Sequence, residues 1–122
     1  MSRVLVVDDA LFMRNSLGMI LKEGGHTVVG QGADGEEAVL LYEALKPDLV
    51  TLDITMGPVN GIEALKRIVA LDPHARVLMV SAMGQQPIMA EAVALGAKGF
   101  IIKPFRKETV LRAVERIIEK GR

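Results

Sequence analysis

The segment Leu49–Met56 reads Leu-Val-Thr-Leu-Asp-Ile-Thr-Met, a short apolar run that carries one carboxylate, Asp53. Because the run is β-branched and unbroken, it predicts a strand buried on both faces of a parallel sheet. Parallel sheets place their chemistry just outside the carboxyl ends of their strands. Asp53 lies at such an end, and its burial among apolar neighbours requires a charged partner.

Three other apolar runs are each followed by polar side chains. The runs and the residues after them are Arg3–Val7 with Asp8 and Asp9, Arg76–Val80 with Ser81, and Gly99–Ile102 with Lys103 and Pro104. If the runs are parallel strands, their carboxyl ends meet at one edge of the sheet. The polar residues are therefore expected to converge on Asp53.

The stretches between the strands have the apolar spacing of helices. The remaining predicted strand covers Thr27–Gln31. Five helices are predicted: Ala10–Gly24, a helix that follows Asp34-Gly35 and ends at Lys46, a helix that begins near Asn60-Gly61, Gln86–Leu95, and Lys107–Lys120. Strands and helices alternate through short connections. This pattern predicts one α/β domain, residues 1–122, with a parallel sheet covered by helices on both faces.

The composition excludes several classes of function. The 122 residues are 50% hydrophobic, which is enough for one domain with its own core. The 15 basic and 15 acidic residues balance, so no basic field is available for nucleic acid or a membrane surface. The absence of cysteine excludes disulfides and thiolate metal sites. With no signal-peptide pattern and no apolar run near the ~20 residues of a membrane span, a cytoplasmic protein is expected.

The predicted cluster of Asp8, Asp9 and Asp53 indicates a metal site. Carboxylates at one sheet edge repel each other unless a cation lies among them, and hard carboxylate oxygens suit Mg²⁺. One aspartate could then attack a phosphoryl group, with Lys103 and Ser81 each binding a phosphoryl oxygen. Singly, such residues are also typical of helix caps and surface turns. Their joint placement at successive strand ends favours the site.

Several of these residues together resemble the receiver domain of bacterial two-component response regulators: Asp8-Asp9, Asp53, Ser81 and Lys103-Pro104-Phe105. The resemblance covers essentially the whole chain. Asp8–Arg14 and Ser81–Gln86 are similar to the stand-alone chemotaxis regulators of that family. The resemblance implies a flavodoxin-like, doubly wound (βα)5 fold whose parallel sheet has the strand order 2-1-3-4-5.

The resemblance also implies a role for each site residue. Asp53 is the implied phosphoacceptor, and Lys103 takes the place of the family's invariant lysine. The implied Mg²⁺ ligands are Asp9 and Asp53 directly, Asp8 through a bound water, and the backbone carbonyl of Thr55. Ser81 and Phe100 occupy the positions of the family's two switch residues.

A histidine kinase is the phosphodonor that the resemblance implies. A flagellar motor switch protein and a phosphatase are expected partners of the phosphorylated form. The chain is expected to be a monomeric signalling protein rather than an enzyme, although it assists its own phosphorylation and dephosphorylation. The expected partner surface is the fourth helix, the fifth strand and the fifth helix, because Gln86–Leu95 is apolar on more than one side.

Two alternative functions stay open. A small Mg²⁺-dependent aspartyl-phosphate phosphohydrolase would share the Asp53 nucleophile. Those enzymes need a second carboxylate two residues further on, where this chain has Thr55. The chain could also be the receiver portion of a longer regulator with a separate output domain.

The segment Met56–Gly61 departs from the family pattern. It reads Met-Gly-Pro-Val-Asn-Gly, so the proline that usually follows the methionine comes one position late, at Pro58. Proline restricts its own backbone and that of the preceding residue, and the shift moves both restrictions away from the Thr55 carbonyl. We therefore expect this loop to sample more conformations when no metal is bound, so that Mg²⁺ binding has to order it. Fixing each residue costs of order 1 kcal/mol, and a several-fold weaker Mg²⁺ affinity is the expected result.

Overall fold

The computed structural model describes residues 2–56 and 60–120 and contains strands and helices in strict alternation. In chain order these are β1 (Arg3–Val7), α1 (Leu11–Glu23), β2 (Thr27–Gly32), α2 (Gly35–Leu45), β3 (Leu49–Asp53), α3 (Gly61–Leu71), β4 (Val77–Ala82), α4 (Gln86–Leu95), β5 (Gly99–Lys103) and α5 (Lys107–Lys120). Among the described residues, no helix is both long and apolar enough to cross a bilayer.

The strands form one parallel sheet in the order β2-β1-β3-β4-β5. The expected doubly wound, flavodoxin-like architecture is thereby confirmed. The order reverses direction after β1, since β2 lies on one side of it and β3 on the other. Crevices at such a switch point are where open α/β sheets bind ligands.

The central strand β3 is buried along its whole length, as the apolar run predicts. Apolar side chains pack on both faces of the sheet. On one face the sheet packs against α2, α3 and α4, through residues such as Ala38, Leu65 and Met89. On the other it packs against α1 and α5, through residues such as Leu17 and Val114. Burial on both faces holds the carboxyl end of β3 in a fixed position.

Strands β4 and β5 run further than their apolar runs indicate. The ladder between them continues through the pairs Ser81 with Ile102 and Ala82 with Lys103. Backbone pairing does not depend on side-chain polarity, so the sheet extends into residues that an apolar pattern does not include. Ser81 and Lys103 are consequently held by strand hydrogen bonds rather than by loops.

His26 lies in the turn between α1 and β2, a position that is typical of a solvated side chain. The structure instead buries it, with 8% of the residue exposed, and neither ring nitrogen has a hydrogen-bond partner. Burial lowers the pKa of this imidazole, because the charged form loses its hydration. The neutral imidazole is therefore the form that this environment favours.

Thr51 in β3 carries a fully buried hydroxyl that has no hydrogen-bond partner. An orphaned buried hydroxyl costs about 1–3 kcal/mol in desolvation, whereas valine keeps the same shape without it. We expect Thr51→Val to raise the free energy of unfolding by about 1 kcal/mol, measured by urea denaturation. Thr51→Ser is the matched control: it keeps the hydroxyl and deletes the methyl group, and it should destabilise. Destabilisation by Thr51→Val would show that the hydroxyl has a partner.

Candidate functional site

The carboxyl ends of β1 and β3 bring three carboxylates together. Asp8 and Asp9 follow β1, Asp53 ends β3, and oxygen atoms from all three lie within 4.8 Å of one another. Asp8 and Asp53 are almost fully buried, with 1% and 3% exposure, whereas Asp9 is exposed. The cluster predicted from the strand ends is therefore present in the fold.

Lys103, at the end of β5, reaches across the sheet edge to the same cluster. Its ammonium nitrogen lies 3.0 Å from Oδ2 of Asp8 and 3.7 Å from Oδ2 of Asp53. The lysine side chain is 25% exposed, so its charge lies at the partly exposed rim of the buried carboxylates Asp8 and Asp53. One ammonium group among these carboxylates leaves the site with excess negative charge.

The electrostatics of Asp53 reflect this excess. Burial, followed by repulsion from Asp8, raises the pKa of Asp53 to about 6, and Asp9 adds a smaller repulsion. Lys103 and a hydrogen bond from the backbone N–H of Thr55 act in the opposite direction. A divalent cation among the three carboxylates would relieve the repulsion, and the hard oxygen donors match the preference of Mg²⁺. The residues present therefore fit the expected metal.

Ser81 lies next to the end of β3. Strand β4 pairs with β3, and Ser81 directly follows Val80, the residue that pairs with Asp53. The serine is 1% exposed, and its hydroxyl donates to the carbonyl of Ala82 at 3.2 Å. The hydroxyl is thus engaged locally, at a strand end that faces the carboxylate cluster.

Phe100, on the edge strand β5, turns outward and is 48% exposed. A groove of about 210 Å³ separates it from the site, and its lining residues include Ser81, Met89, Val93 and Phe100 itself. On α4, Val93 is also 49% exposed, whereas Met89 and Ala92 are buried. The face expected to meet a partner thus carries exposed apolar side chains around an open groove.

Thr55 exposes its side chain just beyond the end of β3. The next residues, Gly57, Pro58 and Val59, lie outside the described residues, so the expected loosening of this loop stays a prediction. The loop resumes at Asn60, whose side chain caps α3 by accepting a hydrogen bond from the backbone N–H of Glu63 at 2.9 Å.

Two residues that shape the site were not identified as functional from the sequence. Gly61 donates its N–H to the carbonyl of Ile54 at 2.9 Å, and a Cβ there would collide with the carbonyl oxygen of Asp53. Arg14 on α1 donates to the backbone carbonyl of Asp8 at 2.6 Å. Gly61 reads in sequence as an ordinary helix start, and Arg14 as one of many surface cations.

Comparison with known proteins agrees with this geometry. Residues 4–115 match the response regulator receiver domain. Protein CcdB of Bacillus subtilis is 55% identical over 97% of this chain and 98% of its own length. Chemotaxis protein CheY of Thermotoga maritima is 50% identical over 94% of this chain and 96% of its own.

Solved structures give the same result. The CheX-CheY-BeF3-Mg complex from Borrelia burgdorferi contains a chain that superimposes with a TM-score of 0.91 and 40% identity, covering 94% of this chain and 87% of that one. Sequence, fold and the acidic pocket at the switch point of the sheet agree. The chain therefore belongs to the response regulator receiver domain family.

Proposed function

We propose that this chain is a phosphoacceptor switch protein in which Asp53 takes up a phosphoryl group from a histidine kinase in a Mg²⁺-dependent reaction. The observation that carries the proposal is the placement of an almost fully buried Asp53 carboxylate against Asp8, Asp9 and Lys103. Repulsion and burial keep the Asp53 charge poorly compensated, so a bound cation would relieve that repulsion and allow an anionic phosphoryl group to approach.

The proposed transfer uses groups that the fold already aligns. A carboxylate oxygen of Asp53 attacks phosphorus and forms a P–O bond, while the P–N bond of the donor phosphohistidine breaks. The imidazole leaves with that electron pair and takes up a proton. Mg²⁺, when bound by Asp9, Asp53, the Thr55 carbonyl and, through water, Asp8, supplies neutralising charge for the phosphoryl oxygens. Lys103, whose ammonium group lies beside Asp8 and Asp53, would neutralise another phosphoryl oxygen.

The proposed response begins at Ser81. Its hydroxyl now donates to a neighbouring carbonyl, an i to i+1 contact that a phosphoryl oxygen can replace with a stronger hydrogen bond. Movement of Ser81 toward Asp53 would widen the groove beside Phe100. Phe100 has no hydroxyl to hold it in solvent, so burial of its apolar ring favours the inward position.

We infer a chemotaxis role from the CheY relatives, which match this chain over nearly their full lengths. The surface formed by α4, β5 and α5 would bind a motor switch protein in the phosphorylated state, and a phosphatase would remove the phosphoryl group. The unit proposed is a single monomeric receiver domain spanning residues 1–122. Thr55 stands where an aspartyl-phosphate phosphohydrolase would need its second carboxylate, so a signalling role is favoured over an enzyme.

The proposal is tested by intact-mass measurement after incubation with acetyl phosphate. The wild-type chain should gain one phosphoryl group with Mg²⁺ and none in EDTA, because the carboxylate cluster repels the anion when no cation is bound. Asp53→Asn should gain none under either condition. Equal uptake in EDTA or in Asp53→Asn would refute Asp53 as a metal-dependent phosphoacceptor.

Ser81→Ala tests whether Ser81 is needed for the conformational response to phosphorylation rather than for phosphorylation itself. This variant should still gain the phosphoryl group, since Ser81 is not the acceptor. The ring signals of Phe100 in an NMR spectrum should shift on phosphorylation in the wild type and shift less in Ser81→Ala. An unchanged ring response in Ser81→Ala would rule out the switch role proposed for the serine.

A further inference from the structure

Arg14 connects α1, the acidic turn and the edge strand β2 through one guanidinium group. Its Nη1 donates to the backbone carbonyl of Asp8 at 2.6 Å, and its Nε donates to Oε1 of Gln31 at 3.2 Å. Gln31 lies in β2, so the guanidinium bridges the end of that strand and the turn after β1. A charged donor on a carbonyl makes a stronger hydrogen bond than a neutral one.

The turn that Arg14 contacts is the one that carries Asp9. Asp8 is held from other directions as well: its N–H donates to the carbonyl of Gly32 at 3.0 Å, and its Oδ1 accepts from the N–H of Ala10 at 2.9 Å. Arg14 also donates its own backbone N–H to the carbonyl of Ala10 at 3.1 Å. The peptide group before Asp9 is therefore anchored to the Arg14 side chain, and the one after Asp9 to the Asp8 carboxylate through the Ala10 N–H.

Asp9 itself is exposed, unlike its two buried neighbours in the cluster. Packing does little to fix an exposed side chain, so the direction of its carboxylate depends on the backbone that carries it. The orientation of the peptide group between Asp8 and Asp9 sets that direction. The bond from the Arg14 side chain to the Asp8 carbonyl fixes that peptide group.

We propose that Arg14 is a positioning residue for the metal site. It holds the Asp8–Asp9 peptide group in the orientation that keeps the Asp9 carboxylate beside Asp53. This inference rests on the proposed function, in which Asp9 and Asp53 bind the metal. The planar guanidinium reaches the Asp8 carbonyl and Gln31 together, which the single nitrogen of lysine cannot reproduce.

A role in geometry and a role in charge predict different results for Arg14→Lys. Lysine keeps the positive charge near the acidic cluster but loses the two-pronged contact with the Asp8 carbonyl and Gln31. If Arg14 acts by positioning, the Mg²⁺ dissociation constant should rise about tenfold in Arg14→Lys, the range seen for residues that orient metal ligands. If it acts only by charge, Arg14→Lys should bind Mg²⁺ as the wild type does.

Two further variants complete the set. Gln31→Ala removes the second anchor of the guanidinium while leaving Arg14 and its charge in place, and it should weaken Mg²⁺ binding less than Arg14→Lys does. Lys22→Gln removes a cation from the last turn of the same helix, away from the acidic turn, and should leave Mg²⁺ affinity unchanged. Affinities are measured by calorimetric titration with MgCl2.

A second measurement uses the metal-free protein. Hydrogen exchange of the Asp9 and Ala10 amides should accelerate several-fold in Arg14→Lys and less in Gln31→Ala, while amides in the centre of β3 should be unaffected. Faster exchange throughout the chain would show a general loss of stability and would overturn a specific positioning role. If Arg14→Lys fails to fold, Gln31→Ala alone tests the role of Arg14. Weaker Mg²⁺ binding in Gln31→Ala than in the wild type would support that role, and unchanged binding would overturn it.

The outcomes separate this inference from the proposed function. If the wild type binds no Mg²⁺, the metal-dependent function fails and the positioning of a metal ligand fails with it. If the wild type binds Mg²⁺ and Arg14→Lys binds it equally tightly, only the role of Arg14 is overturned. Equal losses in Arg14→Lys and Lys22→Gln would also overturn it, because Lys22 lies away from the acidic turn and an equal loss there would indicate an effect that does not depend on the contacts of Arg14.

Discussion

Replacing Asp53 with asparagine should stabilise the metal-free protein at neutral pH. The pKa of Asp53 is raised from its ordinary value of 3.8 to about 6 in the fold, first by burial and then by Asp8. The folded state therefore binds a proton at Asp53 more tightly than the unfolded state does. Stability from this group is fully present below pH 4 and is lost as the pH rises through 6.

The size of the lost stability follows from the size of the pKa shift of Asp53. A shift of about two pKa units corresponds to about 3 kcal/mol of destabilisation by the ionised carboxylate above pH 7, as an order of magnitude. Asparagine has no charge at any pH and therefore does not cause this destabilisation. The difference in unfolding free energy between Asp53→Asn and the wild type should grow by about 2 kcal/mol between pH 4 and pH 7 in EDTA.

Asp72→Asn provides a control of opposite sign. A hydrogen bond from the Tyr42 hydroxyl, 2.8 Å long, holds the pKa of Asp72 below its usual range. Its carboxylate therefore adds stability above its ordinary pKa, and Asp72→Asn should lose more stability at pH 7 than at pH 4. Urea denaturation across this pH range checks both variants. A difference for Asp53→Asn that does not change with pH would contradict the raised pKa.

Mg²⁺ should reduce the advantage of Asp53→Asn. A ligand that binds only the folded state raises stability by RT ln(1 + [L]/Kd), so the wild type gains stability as MgCl2 is added. Asparagine lacks the charged oxygen of the proposed ligand and should gain less. Equal stabilisation of both proteins by Mg²⁺ would argue against Asp53 as a metal ligand.

The sheet order and the acidic cluster follow from different kinds of information. The cluster could be predicted because parallel strands place their carboxyl ends together, so residues after β1 and β3 must meet. The bounds of α4 and α5 were also predicted. Lys107–Lys120 has clear apolar spacing, and Gln86–Leu95, although apolar on more than one side, is followed by Gly96. The strand order 2-1-3-4-5 came from the family resemblance and is confirmed by the structure.

The structural features that the sequence did not indicate depend on contacts between distant residues. The Arg14–Gln31 contact spans 17 positions and has no local pattern. His26 flanks a turn, a position typical of a solvated side chain, yet the fold buries it. Gly61 follows Asn60 in a combination typical of helix starts, and nothing local shows that its missing side chain leaves room for the backbone of β3. Such effects arise only when the elements pack.

Gly61→Ala should be among the most damaging single substitutions in the chain. A Cβ at Gly61 would collide with the carbonyl oxygen of Asp53 and lie 2.8 Å from the Cα of Ile54. Both obstacles are backbone atoms of a strand end that is buried on both faces, so neither can rotate away. Overpacking of this kind typically costs 1–3 kcal/mol and occasionally more, and we expect about 3 kcal/mol here because backbone must move.

The displacement should also reach the chemistry, since the obstructing atoms belong to Asp53 and its neighbour. At a temperature where Gly61→Ala is still folded, phosphoryl uptake from acetyl phosphate should fall about tenfold, because small misplacements of a reacting group have large effects on rate. Gly18→Ala is the matched control. Gly18 lies within α1, and its nearest neighbour is a side-chain carbon of Val28 at 3.8 Å, which is ordinary contact.

Alanine at Gly18 should stabilise the helix by about 0.5–1 kcal/mol and leave phosphoryl uptake unchanged. The two variants make the same chemical change at a helical glycine and differ only in what the new methyl group meets. Urea denaturation and the rate of mass increase with acetyl phosphate and Mg²⁺ measure both consequences. If Gly61→Ala is as stable as the wild type and takes up phosphate at the same rate, the close approach of Gly61 does not position Asp53.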